Sequence, residues 1–301
     1  DTNPTDVFNY ANVFIIGVDQ KIVANDAEEY DKFGGSVAIS GDYAIVGAYG
    51  KDGNRGSVYI FFRTGTTWIF QQKLAENDAT FAYYFGNSVA ISGDYAIVGA
   101  KLESPGIYEA GSAYIFKRIG ETWTQQTKLV AGDPGQGDYF GESVSISGDY
   151  AIVGAPYEDP GDPDGTIDAG SAYIFKRNGT TWSQQTKLVA GDKQQGDNFG
   201  ISVSISGDYA IVGVPYEDPG VPELSSAGSA YIFKRNGDTW TQQTKLTAYD
   251  KQQSDYFGRS VSISGDYAIV GAYAEDPGDP EVPGAGSAYI FKRNGDTWTQ
   301  Q

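Results

Sequence analysis

The 301-residue sequence contains no cysteine, no histidine and no methionine. Without cysteine there can be neither disulfides nor thiolate metal sites. Without histidine the commonest general base and the commonest transition-metal ligand are both missing. Basic residues are scarce as well: 21 Lys and Arg stand against 39 Asp and Glu, a formal charge of −18. That field repels nucleic acid and anionic lipid and attracts cations and basic partners, which excludes nucleic acid as a partner. No stretch approaches the ~18 continuous apolar residues of a membrane helix, so no membrane insertion is expected. The first residue is Asp rather than Met. The expectation is an extracellular or cell-surface chain, secreted and with its signal already removed.

What is abundant is material for turns and strands: 40 Gly, 22 Tyr and 14% aromatic residues. Phe-Gly recurs at Phe33, Phe85, Phe140, Phe199 and Phe257, in steps of 52, 55, 59 and 58 residues. Each Phe-Gly opens the same series. In the third copy SVSIS alternates Val144 and Ile146 with Ser143, Ser145 and Ser147, the period-2 signal of a strand. Gly148-Asp149 then suits a two-residue hairpin turn. YAIVGA reads as a strand buried on both faces. SAYIFKR is a third strand ending at an Asn178-Gly179 turn, and TWSQQTKLVA a fourth. Asn178-Gly179-Thr180 is also a lone glycosylation sequon, of consequence only in a secreted eukaryotic protein.

Four antiparallel strands repeated every fifty-odd residues, without a helical pattern, predict an all-β, five-bladed β-propeller in one domain spanning 1–301. Blades start near residues 33, 85, 140, 199 and 257. A lone blade cannot bury two apolar faces, so blade-on-blade stacking must supply the stability. One Trp per repeat (Trp68, Trp123, Trp182, Trp240, Trp298) reads as packing rather than as five ligand sites. The fifth copy stops within its fourth strand, at Gln301. At the other end QKIVAND, residues 20–26, aligns with TKLVAGD at 186–192. Residues 1–32 are therefore expected to hold a closing strand that completes the last blade. Two other arrangements are open: exchange of that strand into a neighbouring molecule, giving a self-associating polymer, and a longer array of blades.

At FGESVSISGDYAIVGAP, residues 140–156, the chain resembles the FG-GAP repeat, the blade unit of the integrin α-chain propeller. The match recurs at Phe85, Phe199 and Phe257 and, more loosely, at Phe33. It is similar to the short variety found in bacterial and other secreted or surface proteins. The resemblance implies a propeller used outside the cell for adhesion or recognition. Integrin-type repeats that bind Ca²⁺ carry a D-x-D-x-D-G-like loop between their first two strands. Here that place holds only Ser147 to Tyr150, too few oxygen ligands for a 6–8-coordinate ion. That site is not carried over.

The copies differ most between their second and third strands, and variable loops on a rigid scaffold are where binding concentrates. Tyr157, Glu158, Tyr216, Glu217, Asp218, Glu275 and Asp276 are the candidate ligand-loop residues, for a glycan or a surface or matrix protein. Glu158, Asp159, Asp162, Asp164 and Asp168 form the densest acid cluster, and its four Asp could hold Ca²⁺, although Pro, Asp and Gly also make turns. No cofactor is required. The recurring acids before each Phe-Gly, such as Asp192 and Asp197, read as turn residues, with a repeated cation site as the sharper alternative. The position after each Phe-Gly varies through Gly35, Asn87, Glu142, Ile201 and Arg259, which argues weakly for a shared pocket. Five-bladed glycosidases use a unique pair of acids in one cleft. Here the acids belong to repeated positions or loops, so the reading is a binding protein and not an enzyme.

Overall fold

The computed structural model describes residues 20–76, 83–160, 167–220, 224–278 and 282–301. Five four-stranded antiparallel sheets, each with its strands in chain order, are present among them. The first blade is β1 (Phe33–Ser40), β2 (Tyr43–Ala48), β3 (Ser57–Thr64) and β4 (Thr67–Leu74). The second is β5 (Phe85–Ser92), β6 (Tyr95–Ala100), β7 (Ser112–Ile119) and β8 (Thr122–Leu129). The third is β9 (Ser143–Ser147), β10 (Tyr150–Ala155), β11 (Ser171–Asn178) and β12 (Thr181–Leu188). The fourth is β13 (Ser202–Ser206), β14 (Tyr209–Val214), β15 (Ser229–Asn236) and β16 (Thr239–Leu246). The last is β17 (Phe257–Ser264), β18 (Tyr267–Ala272), β19 (Ser287–Asn294) and β20 (Thr297–Gln300). This is the five-bladed propeller expected from the repeat.

Gly148 opens its hairpin at φ +58, as a tight primed turn requires. The second hairpin is shifted by one residue from the sequence reading. Asn178 pairs with Thr181 as the last rung, so the two turn residues are Gly179, at φ +63, and Thr180. Glycine comes first in both turns because only the first central residue needs positive φ in that geometry.

Successive blades pack face to face. Val144, Ile146, Val153 and Phe175 of the third blade meet Tyr95, Ile97 and Leu129 of the second. Ile152, Ile174 and Leu188, on its opposite face, meet Val203, Ile205 and Tyr231 of the fourth. The serines alternating with these apolar residues do more than leave room. Ser145 and Ser147 Oγ accept from the backbone N–H groups of Ile205 and Gly207, one blade on. A bulge in β12 between the partners of Ile174 and Phe175 sets Gln185 beside the next blade, where its Oε1 accepts from Trp240 Nε1 at 3.1 Å. Trp123, Trp182, Trp240 and Trp298 are thus inter-blade packing groups, as their recurrence suggested.

Residues 20–26 form no strand, and their bonds go to the first blade rather than the last. The Gln20 amide both donates to and accepts from the Trp68 backbone at 2.6 Å. Ile22 and Ala24 pack with Tyr59 and Phe61, and Asp26 accepts from the Tyr59 hydroxyl. Gln72 treats Trp123 the same way one blade later. The alignment of QKIVAND with a fourth-strand end is therefore right in role, and among the described residues no ladder pairs 20–26 with the last blade. The last blade's fourth strand is β20, paired from Asn294↔Thr297 to Phe291↔Gln300. Like other fourth-strand ends, the aligned side chains face the following blade, which here is the first. Residues 12–19, the remainder of the expected closing strand, lie outside the described residues.

Candidate functional site

The loops between second and third strands and the connections from each fourth strand to the next Phe-Gly lie at one end of the propeller; the tight hairpins lie at the other. A repeated internal bracket takes up several of the acids at the loop end. In the third blade the buried Glu158 accepts from Ser171 Oγ at 2.5 Å and from Lys187 Nζ at 2.6 Å. Lys187 also reaches Asp133 Oδ2 at 2.9 Å, and Asp133 accepts from the Tyr173 hydroxyl at 3.0 Å. The fourth blade repeats this with Glu217, Ser229, Lys245, Asp192 and Tyr231. In the last blade Glu275 accepts from Ser287 and Asp250 from Tyr289. In the first, Lys51 takes the place of the Glu and is neutralised by Glu28 and Asp31 at 3.0 and 3.2 Å.

The charges inside the bracket hold one another ionised. Burial works to raise the Asp133 carboxyl, but Lys187 and Tyr173 outweigh it and keep it below the usual carboxylate range. Burial likewise opposes a charged Lys187, and Glu158 and Asp133 override it and raise its pKa. The acid before each Phe-Gly behaves differently. Asp138 Oδ2 accepts the Gly135 N–H and Asp197 Oδ2 the Gln194 N–H, closing three-residue turns. Burial, with repulsion from Glu158 and Glu217, pushes these carboxyls up to about 6 and about 7 against those N–H bonds.

Of the candidate ligand-loop residues, Glu158, Glu217 and Glu275 therefore point inward and are occupied by the scaffold. Asp218 and Asp276 accept the N–H groups of Ser226 and Gly284 across their loops, at 2.6 and 2.5 Å. Asp159 does the same for Asp168 N–H at 2.7 Å. Asp162 and Asp164 lie outside the described residues. Among the described residues no three carboxylates gather into a set suited to a metal ion.

Tyrosines remain at this end. Tyr157 meets Tyr139 edge-on with ring centroids 5.0 Å apart, and Tyr49 meets Tyr84 at 5.4 Å. Exposed Tyr216 meets Tyr256, which stacks on Tyr273 at 5.2 Å. The variable position after Phe-Gly, discounted from the sequence, proves to be the place of convergence. Gly35, Asn87, Glu142 and Arg259, from four different blades, line one cavity of about 450 Å³ with Tyr49, Tyr84 and Lys101. Lys101 Nζ lies 2.8 Å from Glu142, and Asn87 donates to the carbonyls of Gly141 and Glu142 while accepting from Lys101 N–H. The sequence signal was present: this is a position inside the otherwise constant motif where chemistry changes from copy to copy.

Five repeated four-stranded blades, with a polar cavity lined by the variable position of the motif, make this a repeat-built β-propeller. The chain belongs to the FG-GAP repeat family, whose pattern matches residues 17–61, 68–116, 123–175, 182–233 and 240–291. Integrin alpha-PS2 of Drosophila melanogaster is 30% identical over 113 residues, 32% of this chain and 8% of that protein. The chain thus spans a small part of the length of the relative it matches.

Proposed function

We infer that this propeller is a non-catalytic recognition module of the cell surface or extracellular space. It engages a glycan or a surface protein at its loop end, anchored in the axial cavity. The observation that carries the reading is the cavity's departure from the repeat. Its charged groups are Lys101 and Arg259 against Glu142, a local excess of positive charge in a chain of −18. An anionic or strongly polar ligand group is drawn there and repelled elsewhere. Tyr49 and Tyr84 add aromatic area of the kind that packs on sugar rings or apolar side chains. Membership of a repeat family found in integrin-like adhesion propellers supports the same role and an extracellular setting. Hydrolysis of glycosides needs two carboxyls facing one bond, and Glu142 is the single carboxylate lining this cavity.

A glycan array and a panel of matrix proteins test the reading. Arg259→Ala and Tyr49→Ala should each weaken a detected interaction at least about tenfold, the usual effect of losing an anchor residue. Asp266→Ala, at the hairpin end, should leave it unchanged. Binding that ignored the cavity variants but fell with the hairpin variant would overturn the assignment. Calcium is not part of this binding mode, so chelation should leave the interaction intact.

A further inference from the structure

We propose that the groove between the first and second blades, at the hairpin end, binds a primary alkylammonium group: the side chain of a lysine presented by a partner polypeptide. The site is at the opposite end from the axial cavity and does not rest on recognition there. Its chemistry is displayed in later inter-blade grooves, where the chain supplies the lysine itself. In the third blade Lys176, opposite Tyr150 in the ladder, donates to Asp238 in the hairpin between β15 and β16. Gln185 Nε2 donates to the same carboxylate at 3.3 Å, and Gln185 Oε1 accepts from Trp240 Nε1 at 3.1 Å. Lys234, Asp296, Gln243 and Trp298 repeat the arrangement between the fourth and last blades.

Between the first and second blades every part is present except the lysine. Glu121 stands in the hairpin where Asp238 and Asp296 stand, Gln71 replaces Gln185, and Trp123 replaces Trp240. Opposite Tyr43, at the lysine position, the chain has Phe62. The Phe62 ring packs 5.0 Å from that of Tyr43 and brings no charge, so exposed Glu121 stands without the lysine its counterparts hold. Two buried atoms are also left over. Trp123, 2% exposed, has no acceptor for its Nε1–H among the described residues, and Gln71 Oε1 has no donor. Buried polar groups are nearly always paired. The matching bond is made in all three grooves that carry a lysine, Lys117, Lys176 or Lys234.

The place is open as well as incomplete. Tyr43, Phe62, Thr64, Ile69, Gln71 and Glu121 line a cavity of about 430 Å³, a volume in the range of small-ligand pockets. Phe62 and Ile69 offer apolar surface to an alkyl stem, and Glu121 offers a carboxylate to its ammonium head. The internal copies show which head group this combination of acid, amide and indole takes. An ammonium held on Glu121 recreates the anchor to which Gln185 and Gln243 donate, turning Gln71 Oε1 toward Trp123 Nε1–H. The chain's charge of −18 draws a basic segment to the surface in the first place.

Proton–nitrogen NMR of the tryptophan indoles tests the site, with the peptide acetyl-Gly-Lys-Gly-amide as probe. The Trp123 indole signal, identified by its loss in Trp123→Phe, should lie apart from those of hydrogen-bonded Trp182, Trp240 and Trp298. The peptide should move it toward them, with half-saturation on the order of millimolar because an exposed ion pair contributes little. Added salt should weaken the response, and the same peptide with norleucine for lysine should give none. Phe62→Lys supplies the missing side chain from within, so it should shift the Trp123 signal without peptide and abolish the response to it. Glu121→Gln should weaken the response at least about fivefold. Unmoved signals from the other three tryptophans show that both variants are folded. A Trp123 signal indifferent to the peptide would overturn the proposal, as would an undiminished response in either variant. A response to n-butylammonium stronger than that to the peptide would make a free amine the occupant and overturn the polypeptide assignment.

Discussion

Ser143 Oγ donates to the carbonyl oxygen of Gly200, one blade further on, at 2.8 Å. That carbonyl belongs to the glycine of the Phe-Gly motif, held at φ +98. It lies directly over Gly154, where a Cβ would come within 2.0 Å of the same oxygen. The motif therefore acts as a spacer between blades: Phe199 fills the interface while Gly200 presents its backbone to the neighbour.

Gly154→Ala should consequently force two blades apart. Overpacking of this kind costs roughly 1–3 kcal/mol, and more where backbone must move. Gly191→Ala is the control, since its Cβ would meet only the Gln242 amide at 3.5 Å. Thermal and urea unfolding followed by circular dichroism should show a large loss for the first and nearly none for the second.

Stability should also depend on pH with a defined sign. Asp138 and Asp197 have folded pKa values of about 6 and about 7, above the unfolded value of 3.8. Between those values the folded chain binds more protons than the unfolded one, so stability rises as pH falls from about 7 toward 4. Asp133 and Asp192 are shifted the other way, and their contribution is lost as pH falls below about 4. Urea midpoints across this range should peak between about pH 4 and 6. Asp197→Asn should raise stability at pH 8 and flatten the slope above pH 5, and an unchanged slope would refute the assignment.

Lys187 ties its own blade's Glu158 to Asp133 in the connection from the second blade. Lys187→Ala leaves the buried Glu158 carboxylate with Ser171 alone and should destabilise by roughly 2–4 kcal/mol, somewhat less than a fully buried pair because Lys187 is partly exposed. Adding Glu158→Gln should restore part of the loss. Strict additivity in a double-mutant cycle would show that the two residues are not coupled.

Much of this was legible in the residues themselves. Alternation in SVSIS, the unbroken YAIVGA and the first-position glycines of the hairpins are short-range properties, and strands and turns follow from them. The fivefold recurrence then dictates blades, because one such sheet cannot bury both faces. The turn at Gly179-Thr180 was misplaced by one residue, since Asn-Gly also suits a hairpin and only pairing of Asn178 with Thr181 decides between them.

The loop acids show where local reading stops. Glu158 looks like a solvated loop charge until Ser171 and Lys187, 13 and 29 residues away, are brought beside it. The axial cavity lies further still from sequence-level view, because Gly35 and Arg259 are joined only by the turn of the blades about their axis. The sequence by itself determined the strands, the repeat and the family. Tertiary structure decided which charges are scaffold and which variable residues converge. Those outcomes depend on the angle between blades, which backbone contact at a few glycines sets and no local pattern encodes.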